Sequence, residues 1–400
     1  MYKNIVLLYC LCMLFINSIS AQQYKSIPIE QAIELALKQD PSMILADLYI
    51  TQSDVLSTGG VPMQPAQIFF SGDEFNFDGI SGIQSLNIQQ SFNLPSVSKT
   101  YQDYNKAQSK RYKHQKLLTT KDIVRNVESS YYNLAIAKQE LILSQDAMSI
   151  YSSFLTRSKD AYEGGESNKV AMITARTLLK KATLNTDHAA HEVEVAREIF
   201  NIWLGKTDNY DTEILASDIL EDFDKKEEGI NPHLGIYQLE KEVIERGIEM
   251  QKSKLLPQLN TGLRLQSVNG DLLYFGYQLG VNIPLMKGGY KKQIEGSKVS
   301  LAIVDTEKKI KEREIVVRTT KLKNHIEHLK LKIKAYDTDL LPSISEQLSL
   351  LKDAYQAGEG SYIEYMMSIE NYNDLQLEKL NLIEDFYKNH IELKYWTEVY

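Results

Sequence analysis

Two histidine pairs stand at ligand spacing in this chain: His188 with His191, and His325 with His328. On a helix, that spacing puts both imidazoles on one face, the beginning of a two-ligand metal site. Neither pair has an obvious third ligand, so solvated surface histidine is the better reading. Met366 and Met367 offer two thioethers to a soft ion, but packing in a core or interface is the more ordinary use of such a doublet. The sequence contains no His-Glu-x-x-His, no Gly-x-Ser-x-Gly and no phosphate-cradling loop. Gly-rich stretches such as Thr58-Gly59-Gly60 read as turns. The chain is therefore read as a non-enzyme with no cofactor and no resident metal.

The informative chemistry lies in two short alternating segments of the second half. In 274–283, Phe275, Tyr277, Leu279, Val281 and Ile283 fall on one face, and Tyr274, Gly276, Gln278, Gly280 and Asn282 on the other. In 259–265, Leu259, Thr261, Leu263 and Leu265 oppose Asn260, Gly262 and Arg264. A period of two means a strand with one apolar side. A length of ~10 residues also suits a tilted transmembrane strand with a wet lumen behind it. A sheet in water with one buried face would alternate in the same way.

These strands sit among helical segments. Ile29 to Gln39 and Ser42 to Thr58 read as helices, separated by Asp40-Pro41. Ile68 to Phe70 and Ile83 to Phe92 read as a hairpin around the Gly-rich loop 72–82. From Ser98 to about Tyr162 there is no Pro or Gly, which gives a helix of roughly 60 residues, or about 90 Å. A second long helix runs from about Ser167 to Leu204. Asn231-Pro232 then opens another helix, Leu259 to Ser267 and Tyr274 to Ile283 are strands, and a long helix continues to a bend at Leu341-Pro342. It resumes to Ala357-Gly358, and a last helix reaches the C-terminus. In Gln108 to Ser149 the apolar positions Leu117, Leu118, Ile123, Val124, Val127, Tyr131, Leu134, Ala135 and Ala137 form a sparse seam. Such a helix needs lateral partners, as in a coiled coil.

The order of elements occurs twice. Pro41 and Pro232 lie 191 residues apart, and Tyr162/Gly165/Glu166 and Tyr355/Gly358/Glu359 lie 193 apart. An offset held so closely suggests a tandem duplication. Four strands cannot close a barrel, and open edges are not tolerated in lipid. A membrane role would therefore require several copies.

Composition narrows the classes further. The net charge of -8 leaves no basic stripe for phosphates, so no nucleic acid partner is expected. Lys3, the apolar run Ile5 to Phe15 and Ser18-Ile19-Ser20-Ala21 read as a secretory signal peptide cut after Ser20 or Ala21. Both cysteines, Cys10 and Cys12, lie within it, so the mature chain has no thiol. Beyond it no apolar stretch approaches ~20 residues, so membrane entry would require a β-barrel. The 24 Tyr suit membrane interfaces, or reflect the usage of the source lineage.

Taken in this order, the segments resemble the TolC-type outer-membrane efflux proteins over essentially the whole mature chain. The resemblance is carried by Ile29-Glu30-Gln31-Ala32-Ile33 with Asp40-Pro41, and by Leu255-Leu256-Pro257-Gln258-Leu259. Ile283-Pro284-Leu285 with Gly288-Gly289, and the two Tyr-x-x-Gly-Glu turns, complete it. It implies a mainly α fold with a small β part, internally duplicated. Long helices would form a barrel or coiled-coil tunnel, and each of three subunits would give four strands to one β-barrel. Residues 1–21 are the expected signal peptide, 22–205 the first repeat, 206–230 a linker or equatorial segment, and 231–400 the second repeat.

The implied location is the outer membrane of a Gram-negative bacterium, with the helices in the periplasm. The implied partners are two further copies in a homotrimer, a periplasmic adaptor (membrane fusion) protein, an inner-membrane resistance-nodulation-division type pump and outer-membrane lipid. The turns at Tyr162, Gly165, Glu166, Tyr355, Gly358 and Glu359 would be adaptor-contacting tips. Glu364, six residues past Gly358, would line a pore constriction with Glu359. Its first-half counterpart is Ala171, a departure from an acidic pattern. Phe275, Tyr277, Leu279, Val281, Leu263 and Leu265 would face lipid. The stretch from Tyr362-Ile363-Glu364-Tyr365 to Ile391-Glu392-Leu393 looks most like the heavy-metal branch (copper/silver or cobalt-zinc-cadmium). The alternatives are a duct for drugs or type I protein secretion, and a soluble exported coiled-coil scaffold.

Overall fold

The structure is a computed structural model that describes residues 24–74, 82–205, 209–213, 231–271 and 273–397. The expected signal peptide and most of the expected linker lie outside the described residues. The described chain runs β1 (Lys25–Ile27), α1 (Ile29–Gln39), α2 (Pro41–Thr58), β2 (Gln67–Asp73), β3 (Ile83–Phe92), α3 (Pro95–Glu163), α4 (Lys169–Trp203) and β4 (Tyr210–Thr212). It continues with α5 (Pro232–Ser253), β5 (Gln258–Val268), β6 (Leu273–Asn282), α6 (Gly288–Ala335), a π-helical turn (Tyr336–Leu340), α7 (Leu341–Gln356) and α8 (Tyr362–Thr397). It is mainly helical with a small β part, as the resemblance implied.

Local chemistry sets the boundaries. Asp40 is extended because Pro41 follows it, so α1 stops there and α2 starts on the proline. The side chain of Asn168 accepts the Ala171 N–H at 3.0 Å and caps α4. A bend is expected at Leu341-Pro342; the irregularity in the helix is a π-helical turn just before it, Tyr336–Leu340. Pro342 has no N–H and its ring crowds the preceding turn, and the helix widens over Tyr336–Leu340 so that the Leu341 N–H reaches the Tyr336 carbonyl.

Two compact units divide the described residues: 24–41, 120–205, 209–213 and 317–397 form one, and 42–74, 82–119, 231–271 and 273–316 the other. In the first, Ile123, Val124, Val127, Tyr131, Leu134 and Ala135 of α3 are buried. Most of the expected seam is therefore core, at the spacing of one helix face. Ile136 packs with Ile326, Leu329, Ile333, Leu380, Phe386 and Tyr387. β1 and β4 pair in parallel, from Lys25–Tyr210 to Ile27–Thr212. Asn201 holds this pair by both sides of its amide, accepting from the Tyr210 N–H at 2.8 Å and donating to the Tyr210 carbonyl at 2.9 Å.

In the second unit the strands form one antiparallel sheet of order β2-β3-β5-β6. The two hairpins of the repeated halves thus meet through their inner strands, β3 and β5, over ten residue pairs from Ile83–Val268 to Phe92–Leu259. β2 and β6 are edges. Around the sheet's helical neighbours, Lys116 pairs with Asp47 and Lys110 with Glu242. Such exposed pairs contribute about 0–1 kcal/mol each.

Candidate functional site

Registration of the strands aligns the apolar residues in rows. One row is Phe70–Leu86–Leu265–Phe275, and the next is Ile68–Ile88–Leu263–Tyr277. All eight side chains are exposed, with Phe275 at 70%, Tyr277 at 79% and, further along β6, Leu279 at 74%. Leu259, Val281 and Phe92 extend the same side. The expected apolar face thus extends into the first-half strands.

The other face is polar and the more enclosed. Ser85 and Asn87 are each 3% exposed. Asn87 donates its amide N–H to Ser71 Oγ at 3.1 Å and accepts from Arg264 Nε at 3.0 Å. Gln89 and Gln278 are hydrogen-bonded at 3.1 Å. Phe69 and Tyr274 are aromatic exceptions on this side. A sheet folded for water places its apolar side inward. Here the buried part of the sheet is the middle of the polar side, at Ser85 and Asn87, and the apolar rows are exposed, the reverse of that arrangement. No described helix is long and apolar enough to cross a membrane.

In the other unit, the two Tyr-x-x-Gly-Glu segments end α3 and α7 with the same bonds. The N–H groups of Glu166 and Ser167 donate to the Ala161 carbonyl at 2.8 and 3.1 Å. Those of Glu359 and Gly360 donate to the Ala354 carbonyl at 3.0 and 2.9 Å. Gly165 and Gly358 sit at φ +77° and +78°, the left-handed cap that glycine closes best. Tyr162, Gly165, Glu166, Gly358 and Glu359 are exposed, and Tyr355 is half-buried.

The two turns are brought together by α8. Tyr362 donates to the Ala171 carbonyl at 2.8 Å and stacks on Phe154, ring centroids 5.1 Å apart. Tyr355 stacks on Tyr365 at 5.4 Å. Burial pushes the phenols of Tyr362 and Tyr365 up, so both stay protonated in neutral solution. Ala171 is buried beneath this cluster, whereas Glu364, one repeat later, is exposed in the first turn of α8. Met366 packs against the cluster and Met367 is exposed. All four histidines of the two pairs are exposed. Among the described residues no group of three or more His, Cys, Asp or Glu is placed to hold a metal ion.

Solved structures share this fold. CusC aligns with a TM-score of 0.77 at 16% identity over 94% of this chain and 95% of its own. The Campylobacter jejuni CmeC outer membrane channel gives 0.73 at 13% over 92% and 85%. The Neisseria gonorrhoeae MtrE outer membrane channel, in its open state, gives 0.72 at 13% over 95% and 93%. The chain has the fold of an outer-membrane channel. No protein-family model matches the sequence, and no curated protein does. The fold agrees with the TolC-type resemblance.

Sequence reasoning put Arg264 on the polar face but missed its partner. Asn87 lies on a strand 177 residues earlier, and no local period links positions so far apart. The first-half strand residues Ile68 and Phe70 were recognised as strand but not as part of the outward face. Their alternation, interrupted by Phe69, is too short to read alone.

Proposed function

We propose that this chain is the outer-membrane channel subunit of a tripartite efflux pump, a passive exit duct with no catalytic role. One observation carries the reading: the sheet is apolar outward and polar inward, from Phe70 through to Phe275 in register. In water such a surface is an aggregation liability; in lipid it is the stable one. The edges β2 and β6 need partners there, because unpaired backbone is costly in hydrocarbon. Three copies supply them, as a homotrimer closing one barrel. Exposed apolar stripes on the helices fit the same assembly. Ile44, Leu45, Leu48, Val55 and Leu56 line α2, and Ile303, Ile310 and Val317 recur every seven residues on α6.

In this reading the protein sits in the outer membrane of a Gram-negative bacterium. The exposed turns at Gly165 and Gly358 meet a periplasmic adaptor, and a resistance-nodulation-division type pump supplies the energy. Glu364 and Glu359, both exposed, form the constriction, and three copies of each favour cations there. Heavy-metal cations are the proposed cargo. A channel does not need to hold them tightly, since ions must leave, which suits the exposed, unclustered histidines.

The test is to isolate the full-length protein from outer membranes, measure its oligomeric state in detergent, and record conductance in planar bilayers. Heat-resistant trimers that conduct are expected. A protein that is monomeric and remains in solution without detergent overturns the proposal. Glu364→Gln then tests the constriction: a lower potassium-over-chloride permeability ratio is expected, and an unchanged ratio removes Glu364 from it.

A further inference from the structure

We propose that Arg264 is a charge filter on the strand-lined stretch of the conduit, and that this stretch prefers anions. The inference rests on the channel reading above. Across the polar faces of β2, β3, β5 and β6, the described residues carry two charges. Asp73 lies at the end of β2, and Arg264 lies within β5. The rest are mostly amides, serines and glycines, which solvate either sign of ion.

Arg264 is held in place. Its Nε donates to Asn87 Oδ1 at 3.0 Å, and Asn87, 3% exposed, is fixed in turn by its bond to Ser71 Oγ at 3.1 Å. That line of bonds crosses three adjacent strands and fixes the base of the guanidinium against the sheet. The residue registered beside Arg264 on β6 is Gly276, which has no side chain to cover it. Arg264 itself remains exposed. A fixed, wetted cation between low-dielectric walls acts on passing ions more strongly than the same charge in open water. A symmetric oligomer repeats it as a ring, and a ring of arginines selects for anions. Arg264 would then be a filter opposite in sign to the one proposed for Glu364 and Glu359.

The experiment is the reversal potential of the full-length channel under a KCl gradient in bilayers of neutral lipid. Wild type is compared with Arg264→Gln and Arg264→Lys, all with Glu364 intact so that its contribution is common to them. The chloride-over-potassium permeability ratio is expected to fall at least about twofold in Arg264→Gln and to stay near wild type in Arg264→Lys. Equal ratios in wild type and Arg264→Gln overturn the inference while leaving the channel reading intact. A wild-type protein that inserts but passes no current takes down the channel reading itself. Should Arg264→Gln fail to reach the membrane, the Glu359→Gln/Glu364→Gln channel, with Arg264 intact and the acidic ring removed, decides: inorganic triphosphate on the strand side should block it at lower concentration than spermidine. The reverse order overturns the filter.

Discussion

The backbone N–H groups of Glu166 and Glu359, 193 residues apart, each close a helix end by donating to the carbonyl of an alanine five residues earlier. The match extends to the left-handed glycine that precedes each glutamate. A repeat seen as spaced letters is therefore a repeat of geometry. What is preserved is the means of reversing the chain between two long helices.

That geometry sets the first expectation. A Cβ at Gly165 or Gly358 would meet nothing within 4 Å, so any cost of substitution comes from φ alone. Gly165→Ala and Gly358→Ala should each destabilise by about 1 kcal/mol, while Asn at either site should cost less. Thermal unfolding in detergent reads this out. An alanine variant as stable as wild type would show that the turn can adopt another shape.

The outward face yields a sharper contrast between neighbours in sequence. Tyr277→Lys places a charge on the apolar side, at about 2–4 kcal/mol if that side meets the bilayer midplane. Gln278→Lys, one residue on, points to the polar side and should be tolerated. We expect the first to deplete assembled protein from the outer-membrane fraction and the second not to. Equal yields would remove lipid from the description of this sheet.

Some of this was legible in the letters and some was not, for reasons that differ by residue. α1 and β3 were readable end to end, because a helix face or a long alternation is written locally. β1 and β4 were not: three residues each carry no period, and their pairing depends on Asn201 gripping Tyr210. A bend is expected at Leu341-Pro342, but the π-helical form of the turn before it, Tyr336–Leu340, has no signature in the letters. The polar line Ser71–Asn87–Arg264 joins three strands and has no local signature. Glu364 and Ala171 share a position in the repeat but not an environment: Ala171 is buried, with its carbonyl bonded to Tyr362, and Glu364 is exposed.

A pH expectation follows from His390. Burial, then the charges of Lys394 and Lys330, lower its pKa from the usual 6.5 to about 4. The imidazole, stacked on Phe386, is thus neutral in the folded protein over a range where the unfolded chain takes up a proton. Its contribution is full above about pH 6.5 and declines as pH falls towards 4, by no more than about 3 kcal/mol. His390→Phe keeps the stack and removes the titration, so its stability between pH 6.5 and 4 should fall less than that of wild type. Parallel profiles would assign the acid sensitivity to other groups.

The last expectation concerns Glu128, a buried carboxylate on α3 that pairs with Lys394 of α8. Lys394 keeps part of its surface in water, so the lysine is cheap to desolvate and the glutamate is not. Removing only the cation should therefore be the damaging change: Lys394→Met leaves Glu128 charged in a poor solvent, at a cost of about 3–5 kcal/mol. Glu128→Gln leaves a neutral amide there and should cost less. The double variant Glu128→Gln/Lys394→Met should recover much of the loss, because the buried charge is gone with its partner. A double-mutant cycle by denaturant unfolding in detergent measures the coupling. If the two losses simply add, the carboxylate is solvated by something other than Lys394 and the pair does not join α3 to α8.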